Sequence, residues 1–170
     1  MKRPAAIVGS LIFLVIAPGV VGILIPWTLT RWRFASPFFA STFLRAASVV
    51  LIAASLPILL DSFRRFVVEG LGTPAPVAPT EHLVVGGMYR FVRNPMYVAV
   101  VSTIVGQALL FGSSVALAYG LCAWLVMHLF VLTYEEPTLR KRYGNEYARF
   151  CANVPRWIPR VSPWSGASRL

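Results

Sequence analysis

Charge is what this sequence has least of. Only 13% of its 170 residues are Asp, Glu, Lys or Arg, where a water-soluble domain carries about 25%. Acids are the scarcer sign, six against sixteen Lys and Arg. Cysteine is limited to Cys122 and Cys151, and histidine to His82 and His128. No Cys-x-x-Cys pair exists, and Cys122 lies inside an apolar run, so no disulfide framework is implied. The histidines stand far apart in sequence, which argues against a dedicated metal site. In excess are apolar residues, at 57%, with a mean hydropathy of +0.69. A soluble core that large needs more chain to enclose it. The composition belongs to the membrane class.

The net charge of +10 raises the question of nucleic acid. Its distribution answers it. Basic residues cluster at the ends of apolar runs, where they meet anionic headgroups. The expected partners are membrane lipids, with no nucleic acid.

Four apolar runs follow one another. The first, residues 5–27, carries no charge and at about 1.5 Å per residue crosses a bilayer core of about 30 Å. Lys2 and Arg3 precede it as in a signal peptide. The run is too long for a signal's apolar region and lacks a small-residue cleavage site, so it reads as a retained helix, kinked at Pro18. The second, residues 38–60, holds one charge near its start, Arg45, which is expected to snorkel to the near interface. The alternative is a charge lining an internal cavity. Residues 61–94 are rich in Gly, Pro and Arg and read as a long connector, a length often associated with function. The third run, residues 95–111, is short for a span, and a re-entrant hairpin is the alternative. Gly112, Ser113 and Ser114 turn the chain into the fourth run, residues 115–133, making an antiparallel hairpin.

A basic amphipathic tail comes last. Leu139, Tyr143, Tyr147 and Phe150 recur at near-helical spacing, with Arg140, Lys141, Arg142 and Arg149 between them. That suits a helix lying in the interface, broken at Gly144. The expected fold is an all-α integral membrane protein of about four transmembrane helices with a C-terminal amphipathic helical tail. It is one membrane domain, with an N-terminal helix pair over residues 1–69 and a core over residues 70–159. Four spans put the N-terminus, the long connector and the tail on one side. Thirteen of the sixteen Lys and Arg then share that side and two lie opposite. The crowded side, with both termini, is expected to be cytoplasmic.

Two polar clusters flank the hairpin on that side. The first is Gly86-Gly87-Met88-Tyr89-Arg90-Phe91-Val92-Arg93-Asn94-Pro95-Met96-Tyr97. Asn94 and Pro95 read as the N-cap and first residue of a helix. Such an end offers free N–H groups to an anion, and Arg93 adds a bidentate cation. The plainer reading of Arg93 is a headgroup anchor. The second cluster is Tyr134-Glu135-Glu136-Pro137. Its acids either cap the following helix or bind a cationic ligand. S-adenosylmethionine, with its ammonium and sulfonium, is such a ligand.

In order and spacing these motifs resemble the isoprenylcysteine carboxyl methyltransferase and phospholipid methyltransferase superfamily, in a bacterial-type form. The residues are Gly87-Met88-Tyr89, Arg93-Asn94-Pro95-Met96-Tyr97, Glu135-Glu136-Pro137-Thr138-Leu139, Gly144-Asn145-Glu146-Tyr147 and Pro155-Arg156-Trp157-Ile158-Pro159. Gly72-Thr73-Pro74-Ala75-Pro76 also looks like bacterial members. The motifs span residues 83–159; residues 1–69 match in hydropathy alone. Asn94 stands where prenylcysteine enzymes usually carry His. Val154-Pro155-Arg156-Trp157 replaces their glycine-rich ending. Both departures point away from a prenylcysteine acceptor.

The resemblance implies a methyltransferase using S-adenosyl-L-methionine on a lipophilic acceptor in a bacterial inner membrane. By position it assigns Tyr89, Arg93, Asn94, Pro95, Tyr97, Glu135 and Glu136 to the cofactor. It makes Arg140, Arg142 and Glu136 the catalytic candidates, the arginines orienting the acceptor, and assigns no metal ligand. His128, about two turns or roughly 10 Å inward of the acids, is read as an interhelical hydrogen-bonding residue. Tyr143 and Tyr147 are read as packing against the hairpin. The acceptor stays open: a carboxylate needs only orientation, an amine also needs a base, and a thiol is intermediate. Two rivals stand beside this reading. One is an NADPH-dependent sterol-type membrane reductase, for which Arg140 to Arg142 would meet the 2′-phosphate. The other is a small helical scaffold without activity.

Overall fold

The computed structural model describes residues 3–38, 41–70 and 80–166. Lys2, Arg169 and the Gly72-Thr73-Pro74-Ala75-Pro76 stretch lie outside the described residues. Those residues contain six α-helices and no strand: α1 (Arg3–Leu14), α2 (Ile25–Thr30), α3 (Thr42–Val68), α4 (Pro95–Phe111), α5 (Ser114–Phe130) and α6 (Glu136–Asn153). The first span is continuous. A π-helical stretch, Val15–Leu24, joins α1 to α2. Pro18 lies inside it, where it lacks an N–H and crowds the carbonyl one turn back. A widened turn carries the helix past that defect.

Three helical segments are long and apolar enough to cross a membrane, Ile7–Thr30, Thr42–Val68 and Ser114–Asn153. The fourth apolar helix, α4, has 17 residues, about 25 Å of rise. It is unbroken and packs along α3 as the most extensive helix pair. Its ends are fixed on both sides. Pro95 opens it, and after Gly112 the Ser113 side chain accepts from the Ala116 amide at 3.2 Å to start α5.

Helix α3 departs from the sequence expectation. It continues past Leu60 through residues that read as connector. Arg65 pairs with Asp61 and with Glu69 one turn to either side, and such pairs support a polar helix end. Its buried face carries Ser48, Ser55 and Ser62, one every seventh residue. Each hydroxyl donates back to a carbonyl of its own helix. Small residues let membrane helices approach closely. At Gly106 of α4 an added methyl would lie 2.5 Å from Ile52 and 3.3 Å from the Ser48 carbonyl.

The spans run up and down. Phe13, early in the first span, has its ring 6.2 Å from that of Phe63, late in α3. Gln107, late in α4, donates to the Gly22 carbonyl at 2.6 Å. The start of the first span, the end of α3, the start of α4 and the end of α5 therefore share one end of the bundle. Arg45 lies toward the other end, with its guanidinium on the Ala35 carbonyl at 2.5 Å and 5.5 Å from the Phe34 ring centre. The flanks are apolar and open: Val15, Phe43, Val50, Leu121 and Val126 are all exposed, as lipid-facing side chains are. The buried cluster sits at the polar end instead. There Leu83, Val84, Val85 and Tyr89 of the connector pack with Tyr147, Phe150, Val154 and Trp164 of the tail.

Helix α6 breaks where the sequence places a break. Gly144 has φ 52 and ψ −122 inside it. Its start differs from expectation. A second π-helical stretch, Val131–Glu135, links α5 to α6 without interruption, two residues before Pro137. The two acids therefore lie within a continuous helical path, not at a helix end. Tyr143 and Tyr147 pack on the connector: the Tyr143 hydroxyl donates to the Thr80 carbonyl at 2.7 Å, and Tyr147 joins the connector cluster. Aromatic side chains at this spacing face whatever covers the inner side of the tail helix, and here that is residues 80–89.

Candidate functional site

Neighbouring residues on an α-helix point about 100° apart and do not share a face. The wider turn at Val131–Glu135 reduces that step. Glu135 and Glu136 accordingly both line one cavity, with Tyr89, Arg93, Asn94, Leu139, Tyr147 and apolar neighbours. Placing two adjacent acids in one wall is the local consequence of a proline-associated π turn, a feature often found at functional sites.

Each acid has its own partner. Glu136 is buried and takes two cations. Arg93 Nη1 lies 3.1 Å from Oε1; Arg156 Nε lies 2.6 Å from the same oxygen, and its Nη2 donates to Oε2 at 3.0 Å. The Arg156 contact is therefore two-pronged, and these hydrogen bonds push the guanidinium pKa above its already high range. Glu135 pairs with no cation among the described residues; it accepts from the Tyr97 hydroxyl at 2.8 Å. Tyr89 is buried beneath them, its ring 6.0 Å from Phe66 in an edge contact. Burial first, and the nearby Glu135 carboxylate second, hold its phenol well above the usual range. It stays a neutral donor.

Arg93 is the hub of the opposite wall. Its backbone amide donates to the Pro155 carbonyl at 2.9 Å. Its guanidinium also reaches Cys151 Sγ at 2.9 Å. Its Nε–H is buried with no partner among the described residues, an unspent donor beside the cavity. Asn94 holds the expected N-cap position, but its side chain makes no capping bond. Its amide instead donates to the Arg156 carbonyl at 3.1 Å. The cap position is as expected, and the side chain there ties the tail segment to the start of α4. Pro95 is buried as the first residue of α4.

The structure thus brings together Tyr89, Arg93, Asn94, Pro95, Tyr97, Glu135 and Glu136. It does not bring in Arg140 and Arg142. Both are exposed on α6 and do not line the cavity; their guanidinium groups lie over the rings of Tyr147 and Tyr143 at 6.0 and 5.7 Å. His128 accepts from Trp157 Nε1 at 2.9 Å, so it binds the tail and not another span. Arg156 is the residue that sequence reasoning missed. Its signal was a lone cation between Pro155 and Trp157, downstream of an acid pair with one evident counterion.

The cavity encloses about 70 Å3. A lobe of about 40 Å3 adjoins it through Phe66, Tyr89, Arg93, Asn94 and Glu135. Ordinary ligand pockets measure about 300–1,000 Å3, so this one is narrow. Its chemistry is nonetheless that of a zwitterion site: an unpaired N–H of Arg93 on one wall, an acid without a counterion on the other, and apolar surface between. Among the described residues no group of His, Cys, Asp and Glu is placed to hold a metal.

No curated protein sequence matches the chain. A family profile does. The phospholipid methyltransferase profile matches residues 43–146, starting in α3 and ending before Arg156. The match takes in Tyr89, Arg93, Asn94, Glu135 and Glu136 of the cavity and more than half of the sequence, and the chain belongs to the phospholipid methyltransferase family of membrane methyltransferases.

Proposed function

We propose that the protein transfers a methyl group from S-adenosylmethionine to a lipophilic acceptor at the cytoplasmic face of a bacterial inner membrane. The observation that carries this reading is the convergence of Arg93, Tyr97, Glu135 and Glu136 on one cavity at the polar end of a membrane bundle. The donors fit the cofactor. The free Nε–H of Arg93 suits its carboxylate, Glu135 its ammonium and sulfonium, and Tyr89 and Phe66 its adenine. A whole nucleoside needs the apolar walls to part, because the enclosed volume takes only one end of it.

When bound, the cofactor supplies an electrophilic methyl group on a sulfonium. The chain's own contribution is alignment and exclusion of water. Glu136, held by two guanidinium groups, fixes the relative position of connector, helix and tail. Glu135, which accepts from Tyr97, balances the cofactor's positive charge and is then not free to act as a base. Arg140 and Arg142, exposed on α6, meet the anionic part of a lipid headgroup outside the cavity. An amine acceptor therefore has to lose its proton elsewhere, whereas a carboxylate needs only orientation.

Calorimetry on the detergent-purified protein tests the reading, with S-adenosylmethionine, S-adenosylhomocysteine and NADPH as titrants. Saturable binding of both sulfur ligands, lost in Glu135→Ala and Arg93→Ala, is the expected result. Transfer of labelled methyl to lipid then identifies the acceptor. NADPH binding without the sulfur ligands would select the reductase chemistry. Binding of none by a folded sample in lipid would leave a scaffold.

A further inference from the structure

Two of the most exposed aliphatic side chains at the polar end belong to one short loop. Ile158 is 80% exposed and Val161 103%. The loop is not loose. On one side Arg93 and Asn94 hold the Pro155 and Arg156 carbonyls. In its middle the Arg160 amide donates to the Phe91 carbonyl at 2.9 Å, and Arg160 Nη1 to the Asn153 carbonyl at 2.8 Å. Beyond it, Trp164 is buried and exchanges hydrogen bonds with Arg90. Apolar side chains are thus pinned outward by hydrogen bonds on both sides.

The position of the loop says what they face. Trp157 lies against α5, on His128 and with its ring 6.3 Å from Trp124. These residues precede Glu136 by eight and twelve positions, about 12 and 18 Å along the helix, inside the span. Around them Leu125, Val126 and Leu129 are exposed on the lipid-facing side of α5. The loop thus starts at a residue packed on a helix whose exposed side chains are apolar. The tail helix that leads into the loop carries exposed Arg140, Lys141, Arg142 and Arg149, the sign that anionic headgroups attract.

We propose that residues 157–161 form a membrane-inserted wedge, with Ile158 and Val161 in the boundary between headgroups and acyl chains alongside α5. Trp157 reaches from the loop along α5, and the aliphatic pair adds apolar area beside it. The wedge adjoins the candidate site. The ring of Trp157 lies 6.5 Å from that of Tyr97, and Arg156, next in sequence, holds Glu136. The bilayer surface and the cavity therefore share one rigid segment. This assignment holds whichever cofactor the cavity takes.

Spin labelling in nanodiscs of phosphatidylcholine and phosphatidylglycerol tests it. Single cysteines replace Ile158, Val161, Val126 and Asn145 in turn, in a Cys122→Ala, Cys151→Ser background. At 158 and 161, as at 126, oxygen should relax the label and a water-soluble nickel chelate should lose its effect, the reverse of 145. Access of nickel equal to that at 145 would overturn the proposal. So would shielding from both relaxants, which would mean a protein covers the loop. The unmodified protein gives a second measurement, with a phosphatidylcholine carrying a diazirine in its acyl chain. Adducts within residues 157–161 are expected; adducts confined to the spans would overturn the wedge even if a labelled variant failed to fold.

Discussion

Arg93 and Glu136, 43 positions apart in the chain, meet at 3.1 Å with side chains only 11% and 9% exposed. The contact closes the hairpin at its polar end, because one residue precedes α4 and the other follows α5. Arg156 completes it from the tail. A single carboxylate thus ties together three segments that the backbone alone leaves separate.

Removing one member of a buried ion pair costs about 3–5 kcal/mol, because the other charge stays behind. The cluster makes that loss unequal. Arg93→Ala leaves Glu136 compensated by Arg156. Glu136→Ala leaves two guanidinium groups with no acid between them. Glu136→Ala should therefore lower the detergent melting temperature more than Arg93→Ala. Equal shifts, read by differential scanning fluorimetry on both variants, would mean that Glu136 is not the shared node.

Arg156 holds both oxygens of Glu136 from two nitrogens, a geometry that lysine cannot reproduce. Arg156→Lys should therefore lose most of what Arg156→Ala loses in binding S-adenosylhomocysteine. Calorimetry on the pair decides the matter. Full affinity in the lysine variant would show that charge suffices and that the fork has no role.

The sequence displayed the spans because membrane helices need little beyond apolar length, and the four runs appear as helices. It displayed the Gly144 break for a similarly local reason. What it hid were features set by neighbours. Asp61, Arg65 and Glu69 look like connector residues until their one-turn spacing is read as helix support. The π turns near Pro18 and Pro137 leave no apolar signature, so the inward turn of both acids could not be seen. Asn94 has the residue type of a cap, yet its amide is claimed by a tail segment 62 residues away. Arg156 was one basic residue among seven in the tail until that fold-back paired it.

The connector is held to α3 by backbone amides. Glu69 accepts from the Gly86 amide at 3.0 Å and Asp61 from the Met88 amide at 3.2 Å. A methyl on Gly86 would collide with the Glu69 carboxylate, and one on Gly87 with Asp61. Gly87 also sits at φ +53, where a side chain costs about 1–2 kcal/mol by itself. Gly86→Ala and Glu69→Ala should each destabilise. Their combination should destabilise less than the sum, since the second change removes what the first one strikes. A double-mutant cycle of stabilities reads that coupling; strict additivity would place the Gly86 amide away from Glu69.

Deep in the bundle the same logic concerns carbonyls. The π-helical stretch of the first span presents its Val21 and Gly22 oxygens to other helices. Tyr119 of α5 donates to Val21 at 2.9 Å, and Gln107 of α4 to Gly22 at 2.6 Å while its own oxygen accepts from Trp32 at 3.3 Å. Hydrogen bonds between membrane helices average about 0.6 kcal/mol and reach about 1.7 kcal/mol. Tyr119→Phe deletes one such bond and keeps the ring, so its loss should lie near the lower figure. Gln107→Leu deletes the contacts to Gly22 and Trp32, besides one to Thr103 of its own helix, and should approach the upper one. Denaturant titration in mixed micelles measures both. The expected order is Gln107→Leu below Tyr119→Phe in stability, and both below the parent. A Gln107→Leu protein as stable as the parent would show that the π stretch holds its place by packing alone.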